Sequence, residues 1–370
     1  QRRAALTREA GGDVGEAAED LAAALADQPE DVGLRRRLVE LRLRQPDHQA
    51  EAVTHLRWLL GRDPVDGELL GGLRQAWLAL GQQARAVEVA ALRVGLGVGD
   101  DEDATLLRAH RAGLHGLPVG PLPPELRAQA WGEDPYAHAA DLLSALALGL
   151  PGLFGTGGGH RARSVGLDDH ADRVAQALGW PEVEVQFGDR PIAEVRRLGR
   201  TVVFGDDLAL LTGQEQAFVL AYGLELALRG LDAITRWSPH TLHALLQAVC
   251  AAAGFAVDDV EDRDALETRA ANLQTRLGRR MAAHRETIGR LADLLSRTDL
   301  TAAHAAWRAA AARVGVIFAG GLLPSVRALR RVTPDEEQAS AVAALAHWVL
   351  TDDAGFAARA AARAAVGDPG

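Results

Sequence analysis

The chain has 370 residues, 48% hydrophobic and 24% charged, with a formal charge of −10. That is enough apolar content for two domains with sizeable cores, and it excludes disorder as the default. The acidic balance excludes whole-chain attraction to nucleic-acid backbones or anionic lipid, and no apolar run reaches the roughly 18 to 20 residues of a spanning helix. One cysteine, Cys250 in the apolar run LLQAVCAAAG, rules out an intrachain disulfide and reads as a small buried hydrophobe. All 40 basic residues are arginine. This usage fits a GC-rich bacterial genome, and it rules out a Schiff-base lysine, a phosphate-loop lysine and a protein-kinase lysine. A start at Gln1, already in helical pattern, predicts a piece of a longer protein or a processed form, expected to be soluble and cytoplasmic.

The N-terminal third repeats. Glu16-Ala17, Glu51-Ala52 and Arg85-Ala86 each open a second helix at spacings of 35 and 34, and Pro29 and Pro64 each close one. First-helix apolar faces are predicted at Leu34, Leu38 and Leu41, then at Leu70, Leu73, Trp77 and Leu80, with Gly81 as a break. This pattern resembles tetratricopeptide repeats, for which about 34 residues per helix pair is expected. The first repeat lacks its opening helix, GVGDDED after Leu96 reads as a loose end to the array, and ATLLRAHRAGL reads as a capping helix. In the resembling family the first helices line a concave groove. Here they carry Arg35, Arg36, Arg37, Arg42, Arg44 and Arg74, with Trp77 beside them, a composition suited to clamping an acidic peptide by bidentate contacts. Solvated surface arginines are the alternative reading.

GLPVGPLPP at 116–124 cannot be helical and is the expected linker, so that a repeat domain spans 1–117, the linker proper 118–124 and an α-rich domain 125–370. In the second domain helices are predicted over 124–131, 136–148, 168–178, 213–229, 239–253, 262–296, 301–319 and 335–365. VEVQF at 183–187 and TVVF at 201–204 are its two convincing strands, expected to form a hairpin-like pair joined by an arginine-rich loop. The fold class is therefore mainly α: a helical repeat array plus an α-rich domain with a small hairpin or sheet.

The stretch 201–230, TVVFGDDLALLTGQEQAFVLAYGLELALRG, is the most informative. Thr212 and Glu215 form a capping box ahead of a helix with few polar faces, which predicts burial. A strand, a short loop, a capped turn and a helix reading AFVLAYGLELA together resemble the HtpX-type zinc metallopeptidases. Matching Val219, Leu220 and Ala221 to that family's helix places Tyr222 at the first zinc histidine, Gly223 at the catalytic glutamate and Leu226 at the second histidine. Neither Gly nor Leu supplies a lone pair for zinc, and a phenol is a poor substitute at neutral pH. The later segment 305–322 then resembles the helix of the third ligand, with alanines at the acidic positions. The resemblance spans 181–322 and implies a fold without the zinc site. An ordinary buried helix is the other reading of the same residues, and it too predicts no zinc chemistry.

The remaining candidates are weaker. GTGGGHR at 155–161 offers His160 and Arg161 on a glycine-rich loop but does not match a dinucleotide pattern. His240 and His243 lie three apart on a helix, a spacing that can seat one metal, without a third ligand in sequence. DDVEDRD at 258–264 is read as helix-entry carboxylates rather than an acidic site. The expectation is a noncatalytic bacterial scaffold or adaptor, without cofactor or metal, that binds a protein or acidic peptide through the repeat groove and neither binds nucleic acid nor inserts in membranes. The alternatives are a subunit of a larger assembly, and a hydrolase using His160, His240 or His243 with Glu225 and Asp207.

Overall fold

The computed structural model describes residues 14–110, 121–150, 153, 166–258 and 260–351. GTGGGHR with His160 and Arg161, residues 116–120 of the proline-rich stretch, and everything past Thr351 lie outside them. The fold is mainly α with one small sheet. Two compact units divide the chain. The first comprises 1–115, 321–327 and 342–360, the second 116–320, 328–341 and 361–370. Residues 321–327 and 342–351 fall in the first unit although they lie far beyond the linker in sequence. Packing between segments more than two hundred residues apart leaves no mark in local periodicity.

In the first unit α1 (Val14–Asp27), α2 (Val32–Leu43), α3 (Gln49–Leu60), α4 (Gly67–Ala79), α5 (Gln83–Leu96) and α6 (Asp101–Ala109) follow one another, each packed on the next. Ala17, Ala52 and Ala86, at the start of alternate helices, are fully buried. Leu21, Leu25, Leu34, Leu38 and Leu41 join Ala17, Ala18 and Ala24 in one apolar cluster. Leu70 and Leu73 are buried as expected, whereas Leu80 is 38% exposed, because α4 ends at Ala79 and the chain turns at Gly81 with φ +70°.

GVGDDED is not loose. Asp100 caps α6 in a reciprocal box with Asp103, so the acidic residues form the first turn of a helix. Asp103 is fully buried and accepts from Arg74 Nη1 at 2.6 Å and Arg93 Nε at 2.8 Å, while Asp100 takes the same two guanidiniums at 2.7 and 2.9 Å. These contacts pin α6 to α4 and α5. In the same unit Arg57 donates to the Leu350 and Thr351 carbonyls at 2.9 and 2.7 Å.

The second unit contains α7 (Pro124–Trp131), α8 (Ala137–Gly149), α9 (Leu167–Ala177), β1 (Glu184–Gly188), β2 (Arg196–Leu198), β3 (Thr201–Gly205), α10 (Gly213–Leu228), α11 (Pro239–Ala252), α12 (Arg263–Ala283), α13 (Arg285–Leu295) and α14 (Leu300–Ala319). The helix expected over 262–296 is two, broken at His284. The predicted strands do pair, but in parallel, Glu184 facing Thr201 and Gly188 facing Gly205. The hairpin is made instead by β2, hidden in the arginine-rich loop, which turns through Gly199 (φ +66°) to lie antiparallel on β3. The sheet order is β1-β3-β2. Behind it α10 packs on β3 and runs along α14, with α9 beside it. Two further helices are α15 (Leu322–Val332), which the periodicity reading missed, and α16 (Asp335–Thr351).

Replacing Asp103 by Asn removes one of the two carboxylates shared by Arg74 and Arg93, with Asp100 still in place, and is expected to destabilise the protein by about 1–3 kcal/mol in urea unfolding. Glu102→Ala removes an 82% exposed partner of Arg74 and is expected to cost less than about 1 kcal/mol.

Candidate functional site

The capping box places α10 as expected: Thr212 Oγ1 accepts from the Glu215 amide and Glu215 Oε2 accepts from the Thr212 amide at 3.0 Å. Every residue from Ala217 to Ala227 is then buried. Tyr222 stacks on Phe218, ring centroids 6.2 Å apart at 9°, and points its hydroxyl toward Arg308 of α14. Burial raises the phenol above its ordinary pKa against the opposing pull of the Arg308 charge, so it stays protonated at neutral pH. Arg308 donates to Glu337 at 2.6 Å.

Gly223 has a packing reason to be glycine. A Cβ there would sit 2.5 Å from Phe204 Cε1 and 2.7 Å from Val195 Cγ2, so the sheet approaches α10 to a distance that a glutamate at this position would prevent. Gly315 does the same for α14, where a Cβ would lie 2.8 Å from the Phe218 ring. Leu226 is fully buried. In the segment read as the third-ligand helix, Trp307, Val314, Val316, Ile317 and Phe318 are core. Trp307 donates to Asp134 at 3.3 Å and meets Tyr136 edge-on.

The titratable groups around α10 are closed as well. Glu225, fully buried, receives Arg127 Nη2 at 2.7 Å and Arg229 Nε at 2.8 Å. His304 contacts the carbonyls of Ile234 and Trp237 at 3.1 Å each, which fixes its Nε2 as the protonated donor nitrogen. Burial, and then the Arg308 charge, lowers its pKa. Asp232 lies 3.2 Å from Arg236, and burial raises its pKa. Cys250 is buried, and loss of solvation pushes its thiol up to about 12. Among the described residues the hydrolase candidates do not come together: Asp207 is exposed ahead of α10, and the cleft lined by His240 and His243 includes neither Asp207 nor Glu225. That cleft, about 390 Å³ between α11 and α12, is completed by Gln247, Glu261, Asp262 and Arg269 among others. His240 faces Glu261 at 3.8 Å. Among the described residues no group of three His, Cys, Asp or Glu is arranged to hold a metal.

The arginines expected to line the repeat groove are used inside the unit, a correction to the sequence reading. Arg35, 8% exposed, reaches His55 Nδ1 at 2.9 Å and the Pro29 carbonyl, and covers the Trp58 ring at 3.8 Å. Arg36 pairs with Asp66 at 2.6 Å, and Arg37 with Glu40. Arg42, 3% exposed, joins Glu19 at 2.8 Å to Glu51 at 2.9 Å. Arg74 is held by the α6 carboxylates. Trp77 is half-buried with Arg85 over its ring at 4.9 Å; Arg44 is exposed. A buried guanidinium already paired to a carboxylate has no fork left for a partner. Helix periodicity locates these residues but says nothing of the acidic residues opposite them.

Comparison of the chain with protein families, curated proteins and solved structures gives no match.

His55, His170 and His304 all sit below the ordinary histidine pKa of about 6.5, each chiefly through burial. As pH falls below that value the unfolded chain takes up protons before the folded one does, so stability rises with pH across this range and is lost on acidification. The urea midpoint is expected to drop between about pH 7.5 and 5.5, and less so in His304→Gln. Gly223→Ala is expected to destabilise by about 1–3 kcal/mol through overpacking against Phe204, read by the same unfolding measurement.

Proposed function

We propose that the chain is a noncatalytic protein–protein interaction scaffold or adaptor, built from a short tetratricopeptide-like array and a second unit of HtpX-like ancestry without the zinc ligands. The observation that carries this reading is the state of the three positions where those peptidases hold their chemistry. Tyr222, Gly223 and Leu226 are packed core, each in contact with neighbours that a ligand or a catalytic carboxylate would displace. Glu225, the nearest carboxylate on the same helix, is neutralised by two arginines and has no lone pair directed at an open site. A helical array followed by a closed core offers surfaces rather than a reaction centre.

The test is elemental analysis of protein purified without a metal-affinity column, together with a peptidase assay on unfolded casein. Less than about 0.1 equivalent of zinc and no turnover are expected, with Tyr222→Phe as inert as the parent. Near-stoichiometric zinc, or proteolysis abolished by Tyr222→Phe or Glu225→Gln, would overturn the reading.

A further inference from the structure

Helix α12 carries an arginine row that differs from every other cluster in the chain. Although the chain has 50 acidic residues, the 18 positions from Thr268 to Arg285 contain none, and they contain five arginines. Leu266, Ala270, Leu273, Leu277 and Met281 form the narrow buried stripe of α12. Arg269, Asn272, Arg276, Arg279 and Ala283 follow one another at spacings of three and four, which places them on a single face beside that stripe. Arg269, Arg276, Arg279 and Arg280 are all exposed. From Arg269 to Arg279 the row is about 15 Å long at 1.5 Å per residue.

The contrast with the repeat arginines decides what the row can do. Arg42 and Arg74 meet carboxylates of their own unit at 2.6 to 2.9 Å, whereas among the described residues Arg269, Arg276 and Arg279 have no such pairing. Arg269 also lines the cleft with His243 and Gln247. The row is thus continuous with a recess that can seat one side chain of a bound segment. Glu261 and Asp262 also line the recess and repel acidic groups there, so an acidic ligand is directed along the row toward Arg276 and Arg279.

We propose that this face of α12, with the recess at Arg269, is the docking surface for an acidic peptide segment of a partner protein, held by two-pronged guanidinium–carboxylate contacts. The proposal deepens the scaffold reading and rests on it. A short acidic segment suits the surface better than a nucleic acid, because the −10 charge of the chain opposes a long polyanion that extends beyond the row.

The experiment uses the full chain and a fluorescein-labelled deca-glutamate peptide at about 50 mM salt, with deca-thymidylate as the competing probe. Arg276→Glu/Arg279→Glu is expected to weaken the peptide about tenfold or more. Arg173→Glu/Arg200→Glu, with the same charge change at exposed sites elsewhere in the unit, is expected to change it less than about twofold, and the parent affinity is expected to fall steeply with salt. Peptide affinity unmoved by the α12 reversal overturns the proposal. So does deca-thymidylate binding more tightly than the peptide and being lost in the same variant, which would assign the row to phosphate chains. Zinc content and casein turnover do not depend on Arg276 or Arg279, so failure of the scaffold reading registers separately.

Discussion

A buried guanidinium cannot shed its proton to become neutral, as a buried lysine can, and in a chain whose every basic residue is arginine this constraint shapes both units. Each arginine taken out of water needs a fixed carboxylate, a run of carbonyls or an aromatic face. Arg42 has Glu19 and Glu51, Arg74 and Arg93 share Asp100 and Asp103, Arg127 and Arg229 share Glu225, and Arg308 has Glu337. Arg57 has the Leu350 and Thr351 carbonyls, and Arg35 has the Trp58 ring. Such pairs add little net stability over apolar packing, because desolvation offsets much of the attraction. They do fix register, since a shifted helix would strand a charge.

The same constraint separates structural arginines from available ones. A cation with its carboxylate in place is electrostatically closed, and its presence in a predicted groove says nothing about partners. The repeats and the core of the second unit carry closed cations. The exposed face of α12 carries open ones, and the acidic residues that would close them are missing from that stretch of sequence. Where a protein of net negative charge leaves several guanidiniums unanswered in a row, the answering charge belongs to something else.

Packing at α10 explains why positions 223 and 315 carry glycine. Two glycines, Gly223 on α10 and Gly315 on α14, allow Phe204 and Phe218 into spaces that any side chain would fill. Close approach of sheet to helix and of helix to helix then buries α10 almost throughout. Tyr222, the remaining polar group in the motif, points its hydroxyl to a buried arginine rather than to solvent.

Much of the architecture was legible in the sequence because it is written locally. The capping residues Thr212 and Glu215 and the alanines at 17, 52 and 86 each act within a few residues of themselves, and the helices begin where these signals put them. Three things were not legible, all set by contact between distant segments. β1 and β3 run parallel because a third strand occupies the loop between them. The GVGDDED stretch is a helix start because Arg74 and Arg93 lie across from it. Arg42 of α2 and Arg74 of α4 are internal because their carboxylate partners come from other helices. The sequence by itself determined that the chain is mainly helical and where most helices start. Only the tertiary structure decided which charges are closed and which remain open, because a side chain's electrostatic state depends on what folding places within about 4 Å of it, not on its neighbours along the chain.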